Sequence, residues 1–140
     1  METMSLQILS KVSPRYNLFT FQIIFLWENM RIAFIEANIS FIIGLVLRVS
    51  GDIQGSFNLL KKCHVMNETN VELLKQLART LHLLGKHKAC LDVVSEAVKF
   101  SPEDWEIHYT KGIAYLNLND FDSAIESFKL ANLNNKHEST

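Results

Sequence analysis

Two pairs of side chains in this chain have the types and spacing that chemistry needs. Lys75 and Arg79 stand four residues apart, so on a helix they share a face and could receive a carboxylate. His87 and Cys90 stand three apart and could place two metal ligands on one helix face. The second pair lacks further ligands at a recognisable spacing, so we predict no metal site. The first pair has a plainer interpretation, a solvated helix face with Glu72 as its neighbour.

The chain has no pattern typical of a catalytic or cofactor site. A Gly-rich phosphate loop, a nucleophile elbow and a paired-carboxylate arrangement are all missing from the sequence. The other histidines occur singly on helical stretches, which is more typical of packed or solvated histidines than of general bases: His64, His82, His108 and His137. We therefore predict a protein without enzyme activity and without a cofactor.

Composition narrows the class of protein further. The chain has 140 residues, of which 48% are hydrophobic and 21% charged, as expected for one ordinary globular domain. Its formal net charge of −1 argues against a nucleic-acid partner, which usually needs a strongly basic surface. The two cysteines, Cys63 and Cys90, are interpreted as reduced packing residues of a cytosolic protein, with a disulfide as the alternative.

The elements that carry these residues repeat every 34 residues. Gly44, Ala78 and Gly112 lie at this spacing. Four further columns keep one residue class each: Leu47, Leu81 and Tyr115; Ser56, Cys90 and Ala124; Leu60, Val94 and Phe128; Cys63, Ala97 and Ala131. A period of 34 with small residues among large apolar ones is typical of a helix–turn–helix solenoid. The columns predict three repeats, over residues 37–70, 71–104 and 105–138.

The turn inside each repeat has its own signal. Gly51, Gly85 and Asn119 each stand between two helical patterns, and these residue types can take the left-handed conformation that ends a helix. The second helix of each repeat is then predicted over residues 53–66, 87–100 and 121–133. We expect the polar stretch from residue 134 onward to be frayed.

The first part of the chain has a different character. Residues 18–27 are almost entirely apolar and follow Lys11 and Arg15, an arrangement that resembles a signal anchor. A membrane-spanning helix needs about 20 apolar residues. The apolar run is interrupted before that length by Glu28, Arg31 and Glu36. We therefore expect no direct membrane insertion, although a membrane-anchored repeat protein stays open as an alternative.

The terminal regions complete the predicted organisation. Residues 16–36 are predicted to form an apolar helix that packs on the first repeat, either as one long helix or as a degenerate helix pair. Residues 1–15 have weak periodicity and are expected to be poorly ordered. Residues 139–140 are a short tail.

The repeat columns resemble the tetratricopeptide repeat over residues 37–138. The resemblance implies an all-α, tetratricopeptide-type α-solenoid of about three repeats with an extra N-terminal apolar helix. A closer resemblance runs from about Gly44 to His137, to the N-terminal repeats of the Bardet–Biedl syndrome protein four family. It is carried by GDIQGSFNLL (51–60), LLGKHKA (83–89), DWEI (104–107) and NLN (132–134).

That family supplies a subunit of the BBSome, a coat-like complex that moves membrane proteins into and out of cilia. The resemblance implies a non-catalytic scaffold whose partners are BBSome subunits and pericentriolar or dynein-linked proteins. It also implies a cytoplasmic protein at the basal body, centrosome and centriolar satellites. Residues 1–36 do not resemble the family's N-terminus, and the family has many more repeats, so we expect a truncated or divergent relative. A general repeat adaptor with an unrelated cytosolic partner is the alternative.

The partner-binding surface of such a solenoid is the concave face formed by the first helices. On this face we predict seven binding residues: Phe41, Arg48, Lys75, Arg79, His82, Tyr109 and Asn117. Tetratricopeptide repeats that bind chaperone tails use a lysine–asparagine clamp spread over three first helices. In this chain the corresponding places hold Phe41, Leu45, Gln76, Glu106 and Thr110. A chaperone-tail adaptor is therefore disfavoured.

Overall fold

The computed structural model describes residues 18–138, and over this range it contains six helices and no strand. The helices are α1 (Leu18–Ser50), α2 (Ile53–Met66), α3 (Val71–Leu83), α4 (His87–Phe100), α5 (Trp105–Asn117) and α6 (Phe121–Glu138). The predicted second helices at 53–66 and 87–100 are confirmed, and the all-α class with them.

The first helix is longer than one repeat element. Helix α1 runs unbroken for 33 residues, so the chain does not break near residue 36. No glycine or proline lies between Leu18 and Ile43, and nothing in that stretch disfavours a helix. Of the two alternatives for residues 16–36, the structure has one long helix over the residues that it describes. The structure divides into two compact units, the first ending at Asn38 and the second beginning at Ile39.

The described part of the first unit is a single helical segment with exposed apolar side chains. Phe19, Trp27 and Phe34 are all largely exposed on one side of the helix, and the exposed Phe25 and Ile32 lie on the opposite side. Arg31 pairs with Glu28 one turn earlier, with 2.9 Å between guanidinium and carboxylate. The packing of residues 16–36 on the first repeat stays a prediction. The predicted disorder of residues 1–15 lies outside the described residues.

In the second unit, helix pairs are joined by turns at the predicted positions. Gly51 and Gly85 have positive φ of 101° and 75°, and Asn119 has φ of 62°. The left-handed conformation predicted for these three residues is therefore confirmed. After two of the turns an aspartate caps the next helix: the carboxylates of Asp52 and Asp120 accept hydrogen bonds from the amides of Gly55 and Ser123.

Small residues let the two helices of a pair approach closely. A Cβ added to Gly44 would stand 2.9 Å from Leu60 Cδ2, and one added to Gly112 would stand 2.6 Å from Phe128 Cε1. In the middle pair, Ala78 is buried with Val94 in one cluster. The small residue of each repeat is therefore packed with the large residue that its own repeat contributes to the column of Leu60, Val94 and Phe128. The three positions are equivalent helix crossings, as the 34-residue period predicts.

The buried side chains form a core that continues from pair to pair. One cluster contains Leu60, Cys63, Leu73 and Leu77, and it joins α2 to α3. A larger cluster contains Leu74, Ala78, Leu81, Cys90, Val94, Ala97, Ile107 and Ala114, and it joins α3, α4 and α5. Phe57 and Val93 pack against both clusters. Stability of this unit therefore comes from stacking between repeats, as in other solenoids.

The end of the chain differs from the prediction. Helix α6 continues to Glu138, whereas the second helix of the third repeat was predicted to end at residue 133 with a frayed tail after it. The stretch from Asn134 contains no glycine or proline, so nothing in it ends the helix. Residues 139–140 lie outside the described residues.

Candidate protein-binding groove

The three first helices of the second unit line a cleft of about 680 Å³. Arg48 comes from α1, while α3 and α5 supply the rest of the lining. The lining residues are Arg48, Arg79, His82, Leu83, Trp105, Glu106, Tyr109, Thr110 and Ile113. We call this cleft the groove. A cleft of this size with a mostly apolar lining and a few charged groups is what a side-chain-binding site needs.

Four of the seven predicted binding residues line the groove: Arg48, Arg79, His82 and Tyr109. They lie on three different helices and are separated by up to 61 positions in the chain. Helical spacing brings Arg79 and His82 onto one face. Stacking of the repeats brings Arg48 and Tyr109 to the same cleft.

Lys75 lies in an ion-pair cluster and is not part of the groove lining. Its ammonium lies 2.8 Å from a carboxylate oxygen of Asp104 and 2.5 Å from one of Glu106, and its side chain is only 15% exposed. Burial by itself would lower the pKa of Lys75, but the hydrogen bonds and charges of Asp104 and Glu106 outweigh burial and raise it. Lys75 is a cross-link between adjacent first helices, which explains why it is absent from the groove lining.

Phe41 and Asn117 also lie away from the groove lining. Phe41 is partly buried against the cluster that contains Leu60 and Leu73. The side-chain amide of Asn117 donates to the carbonyl of Ile113 one turn earlier, at 2.8 Å. Both residues are on first helices as predicted, but neither lines the cleft.

Arg48 is held in place by the next repeat. Its Nη1 donates to the carbonyl oxygen of Gln76 at 3.3 Å, and its Nη2 donates to Oε1 of the same residue at 2.7 Å. Burial first, and then the positive charge of Arg79, lower the pKa of Arg48. The second of these causes is a repulsion between two guanidinium groups that both line the groove. A negative charge placed between them would remove that repulsion.

An aromatic wall closes the other side of the groove. Trp105 and Tyr109 meet edge to face with ring centroids 6.5 Å apart, and Tyr109 lies 5.8 Å from the ring of Phe128 on α6. Sequence reasoning missed Trp105 and Leu83 as groove residues. The signal was present for both, since Trp105 precedes Tyr109 by four residues and Leu83 follows Arg79 by four.

A metal-binding cluster and a reactive thiol are two further kinds of site to consider among the described residues. Within residues 18–138, no group of three or more His, Cys, Asp or Glu side chains is arranged to hold a metal ion. Cys63 and Cys90 are both buried and form no disulfide, so the predicted packing role of both is confirmed. Burial raises the pKa of Cys90 to about 11, which opposes use of its thiolate as a nucleophile.

Sequence comparison finds a known repeat profile in the third repeat and similar proteins that match most of the second unit. A tetratricopeptide repeat profile matches residues 106–137. BBSome complex member BBS4 of Xenopus tropicalis is 46% identical over 87 residues, which are 62% of this chain and 17% of that protein. The Bos taurus protein of the same name is 41% identical over 96 residues, which are 69% of this chain and 18% of the relative. The chain therefore spans less than a fifth of the length of these relatives.

Solved structures show the same architecture at low sequence identity. MamA (MSR-1 C2) superimposes with a TM-score of 0.69 at 20% identity, covering 73% of this chain and 59% of MamA. The second TPR of Spaghetti (RPAP3), bound to HSP90 peptide SRMEEVD, superimposes with a TM-score of 0.66 at 14% identity, covering 69% and 90% of the two chains. Such identities support the fold alone. Together with the repeat profile and the stacked helix pairs, they show that this chain is a tetratricopeptide-repeat α-solenoid whose sequence resembles part of BBSome complex member BBS4.

Proposed function

We propose that this chain is a non-catalytic, BBSome-type interaction scaffold that acts in ciliary membrane-protein trafficking, cilium assembly and the organisation of centrosomes and centriolar satellites. The observation that carries the proposal is the 46% identity to a BBSome member over 87 residues. The groove gives the proposal a physical basis, because it is a cleft on the first helices with both charged and aromatic walls. Its partners would be other proteins: BBSome subunits and pericentriolar or dynein-linked proteins.

The location proposed for the chain follows from the same resemblance. A scaffold of this kind would work in the cytoplasm, at the basal body of the cilium, at the centrosome and at centriolar satellites. Nucleic acid is not among the proposed partners, since the formal net charge of −1 provides no basic surface of the usual strength.

Affinity purification from ciliated cells tests this function. The tagged full chain should recover BBSome subunits, quantified by mass spectrometry against an untagged control. A Lys99→Glu variant should recover them equally, because Lys99 is 69% exposed and lies outside the groove. Recovery of unrelated cytosolic proteins without any BBSome subunit would favour the general adaptor instead.

A membrane-anchored repeat protein is the second candidate, and one observation favours it. Helix α1 is long and apolar enough to cross a membrane by length and composition, with a window of mean hydropathy 1.9 of which 6% is buried. One such helix near the N-terminus is weak support, because signal sequences pass the same test.

The contacts of the second unit oppose insertion of the whole helix. Residues from Phe41 to Arg48 pack on α2 and bond to α3, so these contacts would have to break for that part of α1 to enter a bilayer. The part that precedes them contains Glu28, Arg31 and Glu36, which are costly in a membrane. We therefore propose that the chain does not insert directly. Carbonate extraction distinguishes the candidates: release into the supernatant supports the scaffold, and retention in the pellet supports the anchor.

A further inference from the structure

Two arginines from neighbouring repeats are held at the same groove. Arg48 makes two hydrogen bonds to Gln76, and the amide of Gln76 is fixed in turn by donating from Nε2 to the carboxylate of Glu72 at 2.6 Å. Arg79 is 42% exposed and lines the groove from α3. Because the Arg48 guanidinium is already oriented by the protein, its side chain loses less conformational entropy when a ligand binds.

The positive charge of this pair is only partly balanced by the protein. Arg79 lies 3.3 Å from a carboxylate oxygen of Glu106, but Glu106 also neutralises Lys75. Within the described part of the chain, no carboxylate lies within ion-pair distance of Arg48. The groove thus carries two guanidinium groups against one shared carboxylate, and it complements an anionic ligand group.

The rest of the groove is suited to an apolar group. Leu83, Trp105, Tyr109 and Ile113 lie beside the arginines in the same cleft. The edge-to-face contact of Trp105 and Tyr109 fixes the aromatic wall before any ligand arrives. A ligand that fits both parts has a negative charge and a large apolar group close together.

We propose that the groove binds a peptide segment of a partner protein in which an Asp or Glu side chain meets Arg48 and Arg79 while a nearby large apolar or aromatic side chain packs against Trp105 and Tyr109. This inference rests on the proposed scaffold function and specifies the partner's chemistry. An internal side chain is the carboxylate source that fits. Lys75, the remaining cation near the groove, is already bound by Asp104 and Glu106 and is not available for a chain terminus.

Peptide display on the folded full chain tests the proposal. A library of random 12-residue peptides, fused at their C-termini so that none has a free terminal carboxylate, is selected on three immobilised proteins. These are the wild type, the double variant Arg48→Gln/Arg79→Gln, and the control Arg31→Gln/Lys99→Gln, which removes two exposed cations outside the groove. Circular dichroism melting checks that each variant folds. If the double variant does not fold, the single Arg79→Gln variant replaces it.

The expected result is enrichment of one kind of peptide. The wild type and the control should both enrich peptides with an acidic residue near a large apolar residue, and the double variant should not. An enriched peptide, made synthetically with an amidated C-terminus, should bind the wild type and lose about tenfold or more in affinity for each arginine replaced. Replacing its acidic residue by the amide should cost a similar factor in the wild type and little in the double variant.

Other results would overturn the proposal in distinguishable ways. Enriched peptides without acidic residues, or equal enrichment by the double variant, would show that the arginine pair does not select the ligand, and the scaffold function would stand. Enrichment on none of the three proteins would exclude this groove as a peptide site. The scaffold function would then still be tested separately, by whether the tagged chain recovers BBSome subunits in the affinity purification.

Discussion

Gly44 lies directly against Leu60, so close that a Cβ on Gly44 would stand 2.9 Å from Leu60 Cδ2 and 3.0 Å from Cγ. Leu60 is 0% exposed, so its side chain has no free space to move into. A glycine inside a helix costs about 0.5–1 kcal/mol relative to alanine. The close crossing of α1 and α2 explains why this position holds a glycine.

The Gly44→Ala variant should therefore be less stable, although alanine is the better helix former. We expect a loss of about 1–2 kcal/mol, because overpacking outweighs the gain in helix propensity. Urea unfolding measures it. Val49→Ala in the same helix is the control, since Val49 is 86% exposed and its truncation opens no cavity. When Leu60 is also replaced by Val, the loss of stability caused by Gly44→Ala should be smaller. If Gly44→Ala alone left stability unchanged or raised it, the close packing of α1 on α2 at this position would be contradicted.

Lys75 should contribute far more to the free energy of unfolding than an exposed lysine does. Lys75→Met leaves the carboxylates of Asp104 and Glu106 without their buried cation, and we expect a loss of about 2 kcal/mol. Lys99→Met removes an ion pair with Glu96 that is largely exposed, and should change stability by less than about 0.5 kcal/mol. Equal effects of the two substitutions would contradict the cross-link.

The contribution of Lys75 should depend on pH only in the alkaline range. Its pKa in the folded chain is raised above the ordinary 10.5, so its ion pairs stabilise the fold fully at pH below that value. The stability difference between the wild type and Lys75→Met should be constant from pH 6 to 9. It should shrink as the pH rises beyond about 10.5 and through the higher pKa of Lys75 in the folded chain. A difference that instead vanished near neutral pH would show that another group is responsible.

The cysteines should be unreactive in the folded protein. Burial raises the pKa of Cys90 to about 11 and also raises the pKa of Cys63. Against a reference thiol of pKa 9.0, Cys90 then has about a hundredfold less thiolate at pH 8, besides being shielded from reagent. Ellman's reagent should react with both thiols when the chain is unfolded in guanidinium chloride, and with neither within minutes when it is folded in buffer. A Lys99→Cys variant should show one fast thiol, and rapid reaction of the wild type would contradict the burial.

The turn of the third repeat offers a comparison between residue types. Asn119 has φ of 62°, where a side chain without a local hydrogen-bonding group is strained. Asn119→Ala should cost about 1 kcal/mol, whereas Asn119→Gly should be neutral or slightly stabilising. Thermal unfolding of the two variants measures the difference. If alanine proved as stable as glycine, the turn would not need the left-handed conformation.

The proposed packing of residues 16–36 on the first repeat has a direct test. Deleting residues 1–36 should lower the Tm if this segment covers apolar surface of the first repeat. Deleting residues 1–15 alone is the matched control and should leave the Tm unchanged. A Tm unaffected by the longer deletion would show that the segment stabilises nothing in the second unit, and its exposed Trp27 and Phe34 would then need another explanation.

Most of the fold of the second unit could be predicted because its signals are local. The spacing of Gly44, Ala78 and Gly112 gives the period, and Gly51, Gly85 and Asn119 give the turns; both were correct. The one error was also local. The frayed end after residue 133 was inferred from polarity, and that stretch contains no residue that ends a helix.

The helices, their turns and the buried face of each helix follow from the amino-acid sequence, because they depend on residues three or four positions apart. The sequence also placed Lys75, Arg79 and Arg48 on first helices. What each charge meets depends on contacts between repeats. Lys75 and Asp104 are 29 positions apart, Arg48 and Gln76 are 28 apart, and both pairs meet because one repeat stacks on the next. This stacking made Lys75 a cross-link and left Arg48 and Arg79 at the groove.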